Sequence, residues 1–320
     1  MQGLILNGTK NVFEVECDDG YTRDCSIKGK VLKSDTDYYN PLAPGDVVEL
    51  DDASVEEDKG QIVSLVPRKN EYVRWNIKKR LPQLMAANLD YLLIVTTPDN
   101  PPFRPRFIDR ALAQSEYEHI TPIIVCNKYD VKAAKEDAFQ EQLEAWENIG
   151  YKVMRVSAKT GEGMMELAAL LKDHLSALVG QSGVGKSSII NVLDNNVVLK
   201  TGSLSQKYGR GCHTTTKGSL MHIHIDEALT GGIRDVEADI IDTPGVRRFL
   251  LHDISADNLA LYFRDFVPFV GKCGFGMSCT HGNEKNCAIR QAVEDGKISP
   301  IRYESWERIR DELKSGSFED

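Results

Sequence analysis

Residues 1 to about 68 alternate apolar and polar side chains in short runs, Val12–Cys17, Tyr21–Gly29, Val47–Leu50 and Gln61–Val66, separated by turn residues such as Asp18-Asp19-Gly20 and Pro44-Gly45-Asp46. A period of two broken by turns predicts half-buried strands, and several at this spacing predict a small barrel of the OB type. Such barrels bind single strands or RNA, or act as plain scaffolds, and the pattern alone leaves both open.

From about 88 to 245 the period changes. Strands are predicted at Tyr91–Thr96, Pro122–Cys126, Lys152–Val156, Leu175–Val179 and Val236–Ile241, and helices at Phe107–Tyr117, Ala133–Asn148, Gly163–Leu175 and Ser188–Leu193. Buried strands alternating with helices call for a parallel sheet covered on both faces. Further helices are predicted at Asn258–Asp265, Ala288–Glu294 and Tyr303–Leu313. Between barrel and sheet, Arg68, Lys69, Arg74, Lys78, Lys79 and Arg80 interleave with Tyr72 and Trp75. This stretch is read either as an amphipathic linker helix or as a surface for phosphate contact and base stacking.

The 320 residues carry 39 Lys plus Arg against 48 Asp plus Glu, a formal net charge of −9. That excludes coating of nucleic acid by bulk charge, though not a local basic patch. No apolar run reaches the length of a membrane span, and the first residues, MQGLILNGTKNVFEVE, do not form a secretory leader, so a cytoplasmic protein without membrane association is expected. An odd number of cysteines, seven, argues against a disulfide framework.

Four motifs fall at the C-terminal ends of predicted strands, where open α/β sheets bind ligands. Gly180-Gln181-Ser182-Gly183-Val184-Gly185-Lys186-Ser187 fits the phosphate-binding G-x-x-x-x-G-K-[ST] loop, with Ser188 opening the following helix. Its backbone N–H groups suit a β-phosphate, Lys186 suits the β- and γ-oxygens, and the Ser187 hydroxyl suits Mg²⁺. Asp242-Thr243-Pro244-Gly245 supplies a carboxylate on the Mg²⁺ side and a glycine N–H that can sense a γ-phosphate. In Asn127-Lys128-Tyr129-Asp130, the Asp130 carboxylate can accept both N–H donors of guanine, while Asn127 and Lys128 brace the loop and cover the base. Ser157-Ala158-Lys159 places the Ala158 N–H for guanine O6. Together these motifs predict GTP and GDP binding.

Their order is unusual. A conventional GTPase runs from the phosphate loop through a switch threonine and DxxG to NKxD and SAK, whereas here NKxD and SAK come first. Joining old termini and opening new ones leaves strand pairing intact, so a circularly permuted α/β GTPase domain is predicted. After DxxG, where Ras-like enzymes carry a water-orienting glutamine, the chain has Val246. His213, beside Thr214-Thr215-Thr216 in the Gly- and Ser-rich segment 200–219, is the candidate catalytic group, and Thr215 the candidate Mg²⁺ ligand with Ser187 and Asp242.

Cys273-x₅-Cys279-x-His281-x₅-Cys287 offers three thiolates and one imidazole, the ligand set of a closed structural Zn²⁺ site. Such a site supplies folding free energy on the order of 10–16 kcal/mol and can order a segment too short to build its own core.

A barrel, a permuted GTPase and a Cys₃His knuckle in this order resemble the bacterial RsgA family of ribosome small-subunit-dependent GTPases. The resemblance extends to Gly45-Asp46, Pro67-Arg68-Lys69-Asn70, Ala87-Asn88-Leu89-Asp90, Gly180–Ser188, His213–Thr216, Asp242–Gly245 and Cys273 to Cys287. It implies a late assembly factor that binds the immature small ribosomal subunit and its rRNA, is released after subunit-stimulated GTP hydrolysis, and uses the switch-loop histidine, here His213. Two departures stand out: Gly211-Cys212 precede His213 where the family often has Gly-Arg, and the first knuckle spacing is five residues rather than four.

The expected division is an OB-fold RNA-binding domain at 1–68, a permuted GTPase domain at 69–253 and a helical zinc-knuckle domain at 254–320, in a monomer. Competing readings are a nucleotide-gated RNA-binding scaffold with little hydrolysis, favoured by Val246, and a GTPase acting on tRNA or translation.

Overall fold

The computed structural model describes residues 1–9, 11–29, 32, 38–76, 78–199, 218–245, 249–282 and 284–316. His213, Thr215 and Val246 lie outside the described residues.

Five strands, β1 (Gln2–Gly8), β2 (Phe13–Cys17), β3 (Thr22–Ile27), β4 (Val47–Leu50) and β5 (Lys59–Leu65), close a barrel in the order β1-β2-β3-β5-β4. Its interior is filled by alternate side chains, among them Ile5, Phe13, Val15, Val48, Leu50 and Ile62. The first strand escapes the sequence reading because Leu4-Ile5-Leu6 does not alternate, yet it pairs with both β2 and β4 and closes the barrel.

The basic stretch is not a helix, and only part of it is left as an exposed cationic surface. It forms an antiparallel hairpin of β6 (Glu71–Asn76) and β7 (Leu81–Ala87), with Tyr72, Val73 and Leu84 fully or nearly fully buried. Three of its cations are occupied. Arg68 clamps Asp46 through Nε at 2.7 Å and Nη2 at 3.0 Å and meets Glu71 at 2.8 Å. Lys69 pairs with Asp90 at 2.5 Å, and Arg74 donates to Gln83 at 3.1 Å. Asn88 Nδ2 donates to the Gly45 carbonyl, while Asn70 exchanges hydrogen bonds with the backbone of Leu89. The segments around Gly45, Arg68 and Asn88 thus join the barrel to the sheet. Lys78, Lys79 and Arg80 remain exposed at the hairpin tip, beside a part-exposed Trp75.

The central sheet contains β8 (Tyr91–Thr96), β9 (Thr121–Cys126), β10 (Lys152–Arg155), β11 (Leu175–Gly180), β12 (Ser219–His224) and β13 (Glu237–Asp242), in the order β10-β9-β8-β11-β13-β12. All neighbours are parallel except β12 with β13. Its helices are α1 (Pro105–Tyr117), α2 (Asp137–Asn148), α3 (Met164–Leu171) and α4 (Lys186–Leu193). The sheet's two faces build separate apolar clusters, one with α1 and α2 around Trp146, the other with α3 and α4 around Leu167 and Ile190. The expected helix 163–175 stops at Leu171, because Asp173 takes a positive φ and Leu175 already belongs to β11.

Two helices, α5 (Ala288–Glu294) and α6 (Pro300–Ser315), follow. The helix expected at 258–265 is a single 3-10 turn, Leu259–Tyr262, whose short course lets Leu259, Phe263 and Phe266 all reach the core. Arg302 of α6, only 1 % exposed, pairs with Asp109 of α1 and with Asp265 at 2.9 Å, and Asp109 also accepts from Trp146 Nε1 at 2.9 Å. A buried cation is tolerable when both carboxylates and their other donors are in place. This cluster fastens the C-terminal segment to the first helix of the sheet domain.

Candidate functional site: a nucleotide groove

The groove lies where β8, β9, β11 and β13 end. β8, β9 and β11 read as buried, largely apolar runs and β13 buries Ala238, Ile240 and Ile241, so the first polar residues at their ends emerge together at one edge of the sheet.

Asn127 ties three motifs together. Its Nδ2 donates to the Val184 carbonyl at 2.9 Å and its Oδ1 accepts from the Ala158 N–H at 3.1 Å, with the side chain buried. The phosphate loop fits closely around it: Gly185 has φ +96, and a Cβ there would lie 2.2 Å from Asn127 Nδ2. Only glycine satisfies both requirements. Lys128 Nζ donates to the carbonyls of Gly183 at 2.8 Å and Asn100 at 2.7 Å, lying across the loop. Asp130 accepts from the fully buried Ser157 hydroxyl at 2.8 Å. That bond, with Lys159 3.8 Å away, holds its carboxyl below the usual range and keeps it an acceptor at neutral pH.

The phosphate end is less complete. Lys186 begins α4 and is buried, its Nζ bonded to the Gly180 carbonyl at 3.2 Å. Burial pushes its pKa down, an effect that the attraction of the Asp242 carboxylate only partly offsets. Asp242 ends β13 opposite Leu178 of β11; its Oδ1 is buried without a partner among the described residues, and burial pushes its pKa up. Thr243 is spent on structure, donating to the Leu178 carbonyl. Gly245 packs against Ser182. Gln181 is buried, Ser182 and Gly183 are exposed, and Ser187 and Ser188 are half-buried at the start of α4. The sequence reading overlooked Asn100. Its signal is the turn-rich Asp99-Asn100-Pro101-Pro102 just after β8, a place where α/β sheets put ligand loops.

A second cluster lies in the C-terminal segment. The ligand atoms of Cys273, Cys279, His281 and Cys287 all fall within 4.8 Å of one another, and all four residues are buried. His281 Nδ1 is 3.4 Å from Cys273 Sγ and 3.6 Å from Cys287 Sγ, and the two sulfurs are 4.0 Å apart. Burial pushes the Cys279 thiol up to about 12 and holds the His281 imidazole neutral. Tyr303 of α6 donates to the His281 carbonyl at 2.7 Å, and Arg310 donates to that of Thr280 at 3.1 Å. The cluster can hold a metal ion.

Residues 65–252 match the RsgA GTPase family. The chain belongs to that family. It is 38% identical to the small ribosomal subunit biogenesis GTPase RsgA of Chlorobaculum parvum, over 98% of each chain. It is 37% identical to the protein of that name from Borreliella burgdorferi, over 97% of this chain and 96% of the relative. Among solved structures it is similar to YjeQ from Thermotoga maritima, with TM-score 0.71 and 28% identity over 98% of both chains. It is also similar to YloQ, described as a circularly permuted GTPase, with TM-score 0.68 and 25% identity over 100% of this chain and 96% of that one. As an RsgA family member this chain is a circularly permuted GTPase. Among the described residues, no helix is long and apolar enough to cross a membrane.

Proposed function

We propose that this GTPase works in maturation of the small ribosomal subunit, binding the subunit and its rRNA in the cytoplasm as a monomer and leaving after subunit-stimulated hydrolysis. The assembly role follows the relatives' names. The observation that carries nucleotide binding is Asn127, one buried side chain bonded to both the phosphate loop and the Ser157-Ala158-Lys159 turn. The units are assigned as 1–68, 69–253 and 254–320. Residues 1–65 hold 14 acidic against 6 basic residues, so phosphate contact is assigned to Lys78, Lys79 and Arg80 at the hairpin tip, with Trp75 offering a stacking face.

In this reading Asp130 accepts the guanine N1–H and N2–H₂ donors, the Ala158 N–H, which donates to Asn127 Oδ1 here, is shared with or turned to O6 when the base binds, and Lys128 covers the base. The N–H groups of 180–188 cradle the phosphates and Lys186 neutralises the β- and γ-oxygens. Ser187, Thr215 and Asp242 would hold Mg²⁺; the buried Asp242 Oδ1, without a partner among the described residues, is the kind of acceptor a cation or its water satisfies. Bound there, Mg²⁺ offsets charge building up on the β–γ bridge. His213 orients the attacking water in line with the γ-phosphorus, the bond to the bridging oxygen breaks, and GDP and phosphate leave.

The Cys₃His cluster suits Zn²⁺. Bonds of about 2.3 Å to sulfur and about 2.0 Å to nitrogen imply tetrahedral edges of roughly 3.8 Å between sulfurs and roughly 3.5 Å between sulfur and nitrogen. The separations among Cys273, His281 and Cys287, 4.0 Å and 3.4–3.6 Å, lie close to those, and Cys279 Sγ is within 4.8 Å of all three.

The test is GTP turnover of the full chain, with and without purified small subunits, for wild type and His213→Ala. Wild type should be strongly stimulated by subunits, and His213→Ala should retain GTP affinity while losing most turnover, on the order of the hundredfold or more typical of general acid–base groups. Absent turnover under both conditions would favour the nucleotide-gated scaffold that Val246 allows.

A further inference from the structure

Gly245 backs directly onto the phosphate loop. A Cβ placed on it would lie 3.0 Å from Ser182 Cα, 3.1 Å from Ser182 N and 3.3 Å from Ser182 Cβ. Backbone atoms cannot yield such space cheaply, so glycine is needed for this contact. Ser182 is therefore the loop residue at the seam with Gly245, the end of the groove where a γ-phosphoryl group is sensed.

Its neighbours in the loop are committed. The carbonyls of Gly183 and Val184 accept from Lys128 and Asn127, Lys186 bonds to the Gly180 carbonyl, and Gln181 is buried. Ser182 is exposed, and its hydroxyl makes no hydrogen bond to a described residue. A short side chain with one uncommitted donor thus stands at the γ end of the groove.

We propose that the Ser182 hydroxyl donates a hydrogen bond to a γ-phosphoryl oxygen, favouring GTP over GDP and fixing the γ-phosphorus for attack. This rests on the reading of the groove as a GTP site. A donor aimed at a terminal phosphoryl oxygen has no equivalent partner in GDP, so its effect should appear selectively with the triphosphate.

The measurements are affinities of the full chain for a fluorescent GDP and for a fluorescent, non-hydrolysable β,γ-imido GTP analogue, together with single-turnover hydrolysis, all with Mg²⁺. Ser182→Ala and Ser182→Gly should each bind the triphosphate about tenfold more weakly and turn over about tenfold more slowly, as expected when a hydrogen bond to a charged group is lost. GDP affinity should stay within about twofold. Ser182→Thr, which restores the hydroxyl, should recover most of both losses. An unchanged triphosphate-to-diphosphate ratio in Ser182→Ala and Ser182→Gly would overturn the proposal, as would equal losses for both nucleotides. Failure of wild type to bind either guanine nucleotide would overturn the underlying reading of the groove, a result distinct from either.

Discussion

The two ends of the nucleotide groove are built to different degrees of completion. At the base end the protein satisfies itself: both amide atoms of Asn127 are bonded, Ser157 donates to Asp130, and Lys128 rests on two carbonyls. At the phosphate end the polar groups are buried but underused. Lys186 has one carbonyl at 3.2 Å and a Coulombic attraction to Asp242 that does not offset its burial, and Asp242 Oδ1 has no hydrogen-bond partner among the described residues. Burying a charge or an acceptor without compensation costs free energy, so this end is held in an unfavourable state that an anion and a cation would relieve. In the proposed reading, the base end is thus a preorganised template, while the phosphate end stores a desolvation cost that nucleotide binding would release. Specificity for guanine and response to phosphate are thereby assigned to different physical terms.

Lys186→Met should expose that contrast with the largest effect. It removes the ammonium but keeps most of the volume, so the unliganded protein should melt no lower than wild type. Nucleotide-induced stabilisation should vanish, a loss of about 2.7 kcal/mol at a nucleotide concentration one hundred times the wild-type Kd. Thermal melts with and without GDP and Mg²⁺ would show it. Asn127→Ala should behave in the opposite way. It leaves the Val184 carbonyl and Ala158 N–H unpaired in a buried setting and should cost roughly 1–3 kcal/mol in the unliganded protein. A fall in Tm without nucleotide is the readout, accompanied by weaker discrimination of guanine over adenine nucleotides. If Lys186→Met lowered the unliganded Tm as much as Asn127→Ala, the two ends would not differ in the way described.

Much of this groove is legible in the sequence because its chemistry demands particular residues at fixed spacing, placed after apolar runs that can only be buried strands. The Cys₃His cluster is legible for the same reason, since four soft or borderline ligands within fifteen residues have few other uses. The misread segments are those whose partners are remote. Arg68, Lys69 and Arg74 look like a phosphate surface, yet Asp46 and Asp90 lie 22 and 21 residues from their cations and Gln83 nine from Arg74. A local pattern cannot report pairing that only the tertiary fold creates. The Leu4-Ile5-Leu6 run hides β1 because its register is set by two partner strands, and the 258–265 segment forgoes a helix so that Phe263 and Phe266 can both enter the core. Roles assigned to His213 and Thr215 rest on sequence position alone, as both lie outside the described residues.

The smallest expected effect concerns what braces the phosphate end from outside. His222 of β12 bridges Asp239 of β13 at 2.6 Å and Glu16 of the barrel strand β2 at 2.9 Å, so one imidazole links the barrel to the strand that ends at Asp242. The hydrogen bond with Asp239, reinforced by Glu16, raises its pKa from 6.5 to about 9. A raised folded-state pKa means the imidazolium's contribution is fully present below about pH 6.5 and is lost as pH rises through about 9. The three side chains are each about 40 % exposed, so water screens the bridge and its effect on stability should be modest. His222→Gln, which cannot carry the charge, should melt slightly below wild type at pH 6.5, with the difference closing by about pH 10. Tm measured for both proteins across that range provides the check. A constant offset would mean the bridge acts through shape and not charge, and the phosphate end would then owe nothing to an ionic link with the barrel.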